Sequence, residues 1–501
     1  MLHRLTQNLL KRRQLATALQ NVAALSNGTA TQSSALAAAS FKAYSMPQRS
    51  FASPASGEKQ RRGKAPTYEE MAVAKSPNVS EAVIQKVDEI FEDALPEQME
   101  IVSRMTKSWY QMSQMKPTYE ERKAEATHLY TATADFDKMT PADIGRYVPI
   151  DINKIPTGLM PAVEGELKNT GGYLMLRKPF YDLIEAVPKV MDCITPPRVR
   201  DPNTGLLTPG ENIITVQGHR GTGKSTLLAF ASQVALAYEN TLILAVSFDN
   251  IQDMEGMTRA STRRAGVLNQ HLYTRRFFEE FAIANKELLQ GATLQGDYSA
   301  VPWDAAPHPM FEPPKAGGAS PDTLPFPDRE QVPFPEKKPE TVYDLCCLGA
   351  WRADLAPELF YSFCYELQKA KNMNVVVLLD AINYVDHLSD YRHPETLKPV
   401  MYRDMSFAHA LLGFLTTPPT RGFVMTAVSS KATMKNAKHY MSAGSLNLEL
   451  VNYTKLEMQN MFDHYTISRF LRYEPEVDTF RRAEVLTNGN PADCYKICTA
   501  L

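Results

Sequence analysis

Residues Gly218-His219-Arg220-Gly221-Thr222-Gly223-Lys224-Ser225, followed by Thr226, constrain this chain more than any other stretch. They fit the spacing Gly, four residues, Gly, Lys, then Ser or Thr, in which a glycine-rich loop wraps a polyphosphate. The flanks suit it. Asn212 to Val216 is short, apolar and β-branched, so it reads as a buried strand, and Leu227 to Tyr238 reads as a helix opening at the loop. Strand, loop and helix together present backbone N–H groups at the positive end of a helix dipole. Gly218, Gly221, Thr222, Gly223, Lys224, Ser225 and Thr226 are therefore the candidate nucleotide-binding residues, with Lys224 directed to the β and γ phosphates and Ser225 to Mg²⁺. The loop alone chooses neither ATP nor GTP.

A second element of such a site is a carboxylate at the end of a neighbouring strand. Val375-Val-Val-Leu-Leu-Asp380 supplies it, which makes Asp380 the second candidate in the magnesium shell. Ala381 comes next, where lidded ATPases commonly carry a glutamate that activates water. General-base help is then missing unless another residue provides it. Ser429 or Ser430, after the strand Gly422 to Val428, and Asn383 are polar candidates for the phosphate end. No catalytic residue is assigned, and the site reads as better at holding a nucleotide than at turning it over.

Further strands and helices alternate around these motifs: Thr241 to Ser247 as a strand, Pro357 to Lys371 and Ser406 to Leu415 as helices. Such alternation predicts an α/β fold, a nucleotide-binding core with a mostly parallel sheet and its ligand at the strands' carboxyl ends. After Val451 only helices are expected, from a capping box at Thr454 and Glu457 through about Leu471, then Phe480 to Leu486 and Pro491 to Thr499, the last capped by Asn490. They form a small helical lid.

Upstream, Met1 to Gly57 holds no Asp or Glu but contains Arg4, Lys11, Arg12, Arg13, Lys42 and Arg49, the composition of an organellar targeting peptide. Arg49-Ser50-Phe51-Ala52 matches a matrix-processing pattern; cleavage after Phe51 removes six positive charges and takes the net charge from −2 to −8. The competing reading is a basic tail that binds nucleic acid. Ala52 to Ser80 reads as an extended arm, Ser80 to Lys116 as helical, and Pro117 to Gly172 as irregular. Phe180 to Val190 follows as an amphipathic helix, and Arg177 and Lys178, in the segment ahead of the first strand, are candidates to lie beside a base.

Two stretches suggest partners. Arg259, Arg263, Arg264, Arg275 and Arg276 interleave with aromatics, Arg259 and Arg263 falling on one helical face, which suits RNA or simply a solvated face. Val301 to Glu340 holds eleven of the 34 prolines and reads as an insertion or wrapping segment. The six cysteines show no zinc spacing, and no apolar run is long enough to span a bilayer.

Leu176-Arg177-Lys178-Pro179, the loop Gly218 to Ser225, Val377 to Asn383, Val451-Asn452-Tyr453 and Asn488-Gly489-Asn490-Pro491, in that order, resemble the death-associated-protein family of the mitochondrial ribosome's small subunit. The resemblance implies a ribosomal protein of the mitochondrial matrix that contacts small-subunit ribosomal RNA and neighbouring proteins and lies near the large subunit, with no membrane association and no homo-oligomer. It also implies a bound guanine nucleotide, GTP or GDP, with Mg²⁺, and a fold like the lidded ATPases. ATP stays open, since no Asn-Lys-x-Asp guanine motif is present. The expected organisation is a targeting peptide over 1–51, an N-terminal extension over 52–170, a nucleotide-binding domain over 171–450 with an insertion at 301–340, and a lid over 451–501. The alternative is a free matrix ATPase of the lidded class.

Overall fold

The computed structural model describes Lys123 and residues 126–500, apart from segments 203–206, 250–257, 305–326, 431–439 and 472–476 and scattered single or paired positions. The targeting peptide, the arm and the helical stretch to Lys116 lie outside the described residues, as does most of the proline-rich segment.

Five strands form the central sheet: β1 (Gly210–Gly218), β2 (Thr241–Ser247), β3 (Asn374–Asp380), β4 (Gly422–Ala427) and β5 (Gly444–Leu450). Their order is β5-β1-β4-β3-β2, and every neighbouring pair is parallel. All five carboxyl ends therefore open on one side. The register brings Ser247 of β2 opposite Asp380 of β3, and Ala427 of β4 opposite Val216 of β1, so the motif-bearing strand ends share one level.

Eleven helices stand among the described residues: α1 (Met160–Asn169), α2 (Lys178–Val190), α3 (Lys224–Ala235), α4 (His271–Ala284), α5 (Lys286–Gln290), α6 (Val342–Trp351), α7 (Ala356–Lys369), α8 (Ser406–Thr416), α9 (Lys455–Ile467), α10 (Val477–Thr487) and α11 (Pro491–Ala500). Period-two alternation along β3 sorts them. Val375, Val377 and Leu379 face a core with α4, α6, α7 and α8, while Val376 and Leu378 face one with α1, α2 and α3. A strand buried on both faces reads as the continuous apolar run found at Val375 to Leu379. Each fully buried branched side chain there contributes about 1.5–3 kcal/mol. Helices α9 to α11 gather around a third core with Tyr130, Tyr147 and Met175.

Several elements differ from the sequence reading. The stretch read as irregular contains α1, whose Val163 and Leu167 join the core of α2 and α3. Helix α6 was hidden because VYDLCCLGAW is apolar nearly all round and shows no stripe; a capping box between Thr341 and Asp344 starts it. Strand β5 was overlooked, although its leucines alternate. Arg259 does not share a helical face with Arg263: it lies on a hairpin of three-residue strands, Thr258–Ala260 against Leu268–Gln270, and a turn follows. At the end of the proline-rich stretch, Val332 is fully buried and accepts a hydrogen bond from Trp351 Nε1 at 2.9 Å, so that part belongs to the core.

Candidate functional site

The loop's backbone explains its glycines. Gly221 and Gly223 have φ of +80° and +95°, where a side chain is strained. A Cβ on Gly221 would also lie 2.5 Å from Asn490 Oδ1. Gly223 is the residue before α3 and, lacking a side chain, makes no cap to the first turn. The helix therefore leaves the donors that a cap would occupy to the cavity it faces.

That cavity, of about 380 Å³, opens at the carboxyl ends of the strands. Gly221, Gly223, Lys224, Ser225, Thr226, Asp380, Ser429 and Ser430 line it. Two candidates turn elsewhere. Gly218 packs against the Leu450 carbonyl, and buried Thr222 turns its hydroxyl back to the His219 carbonyl at 2.9 Å. They shape the loop without facing the cavity.

Ser225 Oγ donates to Asp380 Oδ2 at 2.6 Å. Burial pushes the Asp380 carboxyl up, the Ser225 hydroxyl and the Ala381 N–H oppose that, and nearby Asp249 adds to the rise while Lys224 lowers it. Lys224 Nζ donates to the carbonyls of Gly218 at 2.9 Å and His219 at 2.7 Å. Burial pushes its ammonium down and Asp380 partly restores it. A desolvated cation held by loop carbonyls, beside a hydroxyl and carboxylate in contact, is a donor set suited to a magnesium polyphosphate. Ala381 has φ of +52°, a strained value for a residue with a side chain, directly after Asp380.

Asn383 does not line the cavity. Its Nδ2 donates to the Ser429 carbonyl and its Oδ1 accepts from the Ser429 N–H, both at 2.7 Å, fixing Ser429 in the wall. Arg177 and Lys178 do not line it either. Arg177 is buried and donates to the carbonyls of Thr222, Val451 and Asn452 and to Glu457, while Lys178 pairs at the surface with Asp182. Two arginines of the basic stretch are taken up in packing, while Arg259, Arg263 and Arg276 stay exposed. Arg264 sits 3.4 Å over the Tyr361 ring and pairs with Glu358, and buried Arg275 donates to the Ala350 carbonyl.

Sequence reasoning missed Gly158, Pro161, Ser247, Asp249, Pro491 and Ala492 in the cavity wall. Asp249 could have been found, since it lies two residues past a strand that was recognised. Gly158 and Pro161 carried no signal, because only the fold brings residues 158–161 against β2, where a Cβ on Gly158 would collide with the Ala245 carbonyl.

The motifs at the chain's end close over the loop. Asn490 Nδ2 donates to the Arg220 carbonyl at 2.7 Å and the Ala492 N–H to the Gly221 carbonyl at 3.0 Å. A comparison with known protein families matches residues 210–497, more than half of the chain, to the family described as mitochondrial ribosomal death-associated protein 3. The chain belongs to that family. No curated protein matches it. The family segment runs from β1 into α11, so it takes in the loop, Asp380, Ser429 and the Asn490 contact, while Arg177 lies ahead of it.

Proposed function

We propose that this protein is a structural component of the small subunit of the mitochondrial ribosome, in the matrix, and that its cavity holds a guanine nucleotide with Mg²⁺ as a structural or assembly cofactor. The observation that carries the nucleotide reading is the contact of Ser225 Oγ with Asp380 Oδ2 beside Lys224, at the uncapped start of α3. Lys224 supplies the cation for the terminal phosphates, Ser225 and Asp380 hold the metal shell, and Thr226 with the glycine N–H groups completes the cradle. Ser429, fixed by Asn383, faces the phosphate end. In this reading β1 to β5 are the core of a phosphate-loop NTPase, residues 171–450 are its nucleotide-binding domain and α9 to α11 are its lid. Guanine in place of adenine follows from the family resemblance. Small-subunit ribosomal RNA and neighbouring ribosomal proteins are the partners, reached after removal of residues 1–51.

The metal ion polarises phosphate oxygens and fixes their position. The chain's own residues do the holding: the loop orients the phosphates, and the contacts of Asn490 and Ala492 join the C-terminal helices to it. With Ala381 after Asp380, turnover is slow.

Sedimentation of mitochondrial lysate on a sucrose gradient tests the assignment. The protein is expected with the small subunit; finding it only as a free species supports the matrix ATPase instead. Denaturing the purified particle and separating the released nucleotides by chromatography tests the cofactor, and recovery of no nucleotide rejects it.

A further inference from the structure

The site lacks a carboxylate at position 381, yet a second carboxylate does reach the cavity, from the edge strand. Ser247 closes β2 opposite Asp380 in parallel register, and the chain continues through Phe248 to Asp249. The strand ends at Ser247, and Phe248 and Asp249 begin a 3-10 turn. Ser247 and Asp249 line the cavity, whereas Phe248 between them is fully buried in the core. Asp249 is exposed at the wall, so water reaches it.

We propose that Asp249 is the carboxylate that activates water at this site, in the place that Ala381 leaves open. This rests on the reading of the cavity as a nucleoside-triphosphate site. Asp380 and Asp249 are the carboxylates among the described residues lining the cavity, and Asp380 is committed to the Ser225 hydroxyl and the Ala381 N–H. The charge of Asp249 reaches Asp380, adding to the rise of its carboxyl. Burial and the nearby Asp249 carboxylate both push the Tyr384 hydroxyl up, and the Tyr384 ring is itself stacked on His387 with centroids 4.9 Å apart. Tyr384 therefore stands beside the carboxylate, and it comes from the turn that follows β3.

In the step, Asp249 accepts a proton from a water molecule as the water oxygen bonds to the terminal phosphorus. The bond from that phosphorus to the bridging oxygen breaks, and its electron pair leaves on the diphosphate. The products are inorganic phosphate and nucleoside diphosphate; no redox partner enters. A base on an open wall, rather than built into the strand beside the metal, gives slow turnover and makes the nucleotide a timer as well as a clamp.

The full-length mature chain and its Asp249→Asn and Asp249→Glu variants test this, each with GTP and with ATP in Mg²⁺. Three readouts are taken: affinity for a non-hydrolysable analogue, phosphate released in a single turnover, and the triphosphate-to-diphosphate ratio of nucleotide that copurifies. Expected for Asp249→Asn are affinity within about threefold of wild type, a single-turnover rate lower by about 10²-fold or more, and a shift of copurifying nucleotide from diphosphate to triphosphate. Asp249→Glu keeps measurable turnover, and all three chains share one melting profile. Turnover in Asp249→Asn equal to wild type, or a wild type that binds nucleotide and never cleaves it, overturns the inference and leaves the binding site standing. A tenfold or greater loss of Mg²⁺-dependent affinity in Asp249→Asn makes the residue a metal ligand and overturns it too. Absence of binding by the wild type rejects the nucleotide site itself, and the inference with it.

Discussion

Asn490 Nδ2 donates to the carbonyl of Arg220 at 2.7 Å, a hydrogen bond between residues 270 positions apart that ties the start of the last helix to the phosphate loop. The same side chain caps that helix, its Oδ1 accepting from the Asp493 N–H at 3.3 Å. Asn490→Asp keeps the cap and loses the tie, whereas Asn490→Ala loses both. Thermal unfolding is expected to show a loss of about 1 kcal/mol for Ala and less for Asp, while calorimetric titration shows weakened nucleotide binding in both.

Gly221 sits beneath that contact. Gly221→Ala places a methyl at φ of +80° and 2.5 Å from Asn490 Oδ1, so either the loop or α11 must shift. The backbone strain alone costs about 1–2 kcal/mol. Denaturant unfolding should register it, and nucleotide affinity should fall further than in Asn490→Asp.

Arg177 is 4% exposed and spreads its donors over three carbonyls and Glu457, with its guanidinium 4.8 Å from the Tyr453 ring centre. Arg177→Ala leaves the Glu457 carboxylate and three carbonyls short of a donor, at a cost of about 3–5 kcal/mol. Arg177→Lys recovers little of it, because a point charge cannot reproduce the planar fork. The midpoint of urea unfolding distinguishes the two from wild type.

His271 gives a pH signature. Burial holds its imidazole below the ordinary 6.5, the Ala353 carbonyl opposes this, Arg259 adds to the depression, and Asp354 and Glu358 oppose it. Below pH 6.5 the unfolded chain then binds a proton that the folded one refuses, so stability falls as pH drops from 6.5 toward the folded value and is fully present above 6.5. Urea unfolding at pH 7.5 and 5.5 should show that decline, reduced in His271→Gln.

Much of this was legible from local pattern. The strand at Thr241 to Ser247 has the bounds expected, the capping box at Thr454 and Glu457 forms as read, and the loop, Asp380 and Ser429 meet in one cavity. Periodicity finds elements with one apolar stripe, which is why α6, apolar on most sides, escaped. Sequence spacing does not reveal stacking partners: Arg264 finds Tyr361 almost a hundred residues on. The sequence reads Arg177 as a base neighbour because it lies in the segment ahead of the first strand of the nucleotide-binding core. What it touches comes from residues 222, 451, 452 and 457, distances along the chain that no local pattern encodes.

That reach sets a limit on how the protein can be cut. A fragment begun at residue 210, where the family match starts, would contain every residue of the cavity wall except Gly158 and Pro161 and would still lack Arg177. Its loop and its final helices would be joined through Asn490 and Ala492, with the Thr222, Val451 and Asn452 carbonyls deprived of the guanidinium that gathers them. The smallest working version of this protein therefore starts upstream of residue 210, because a residue ahead of the family match keeps the two halves of the site in register.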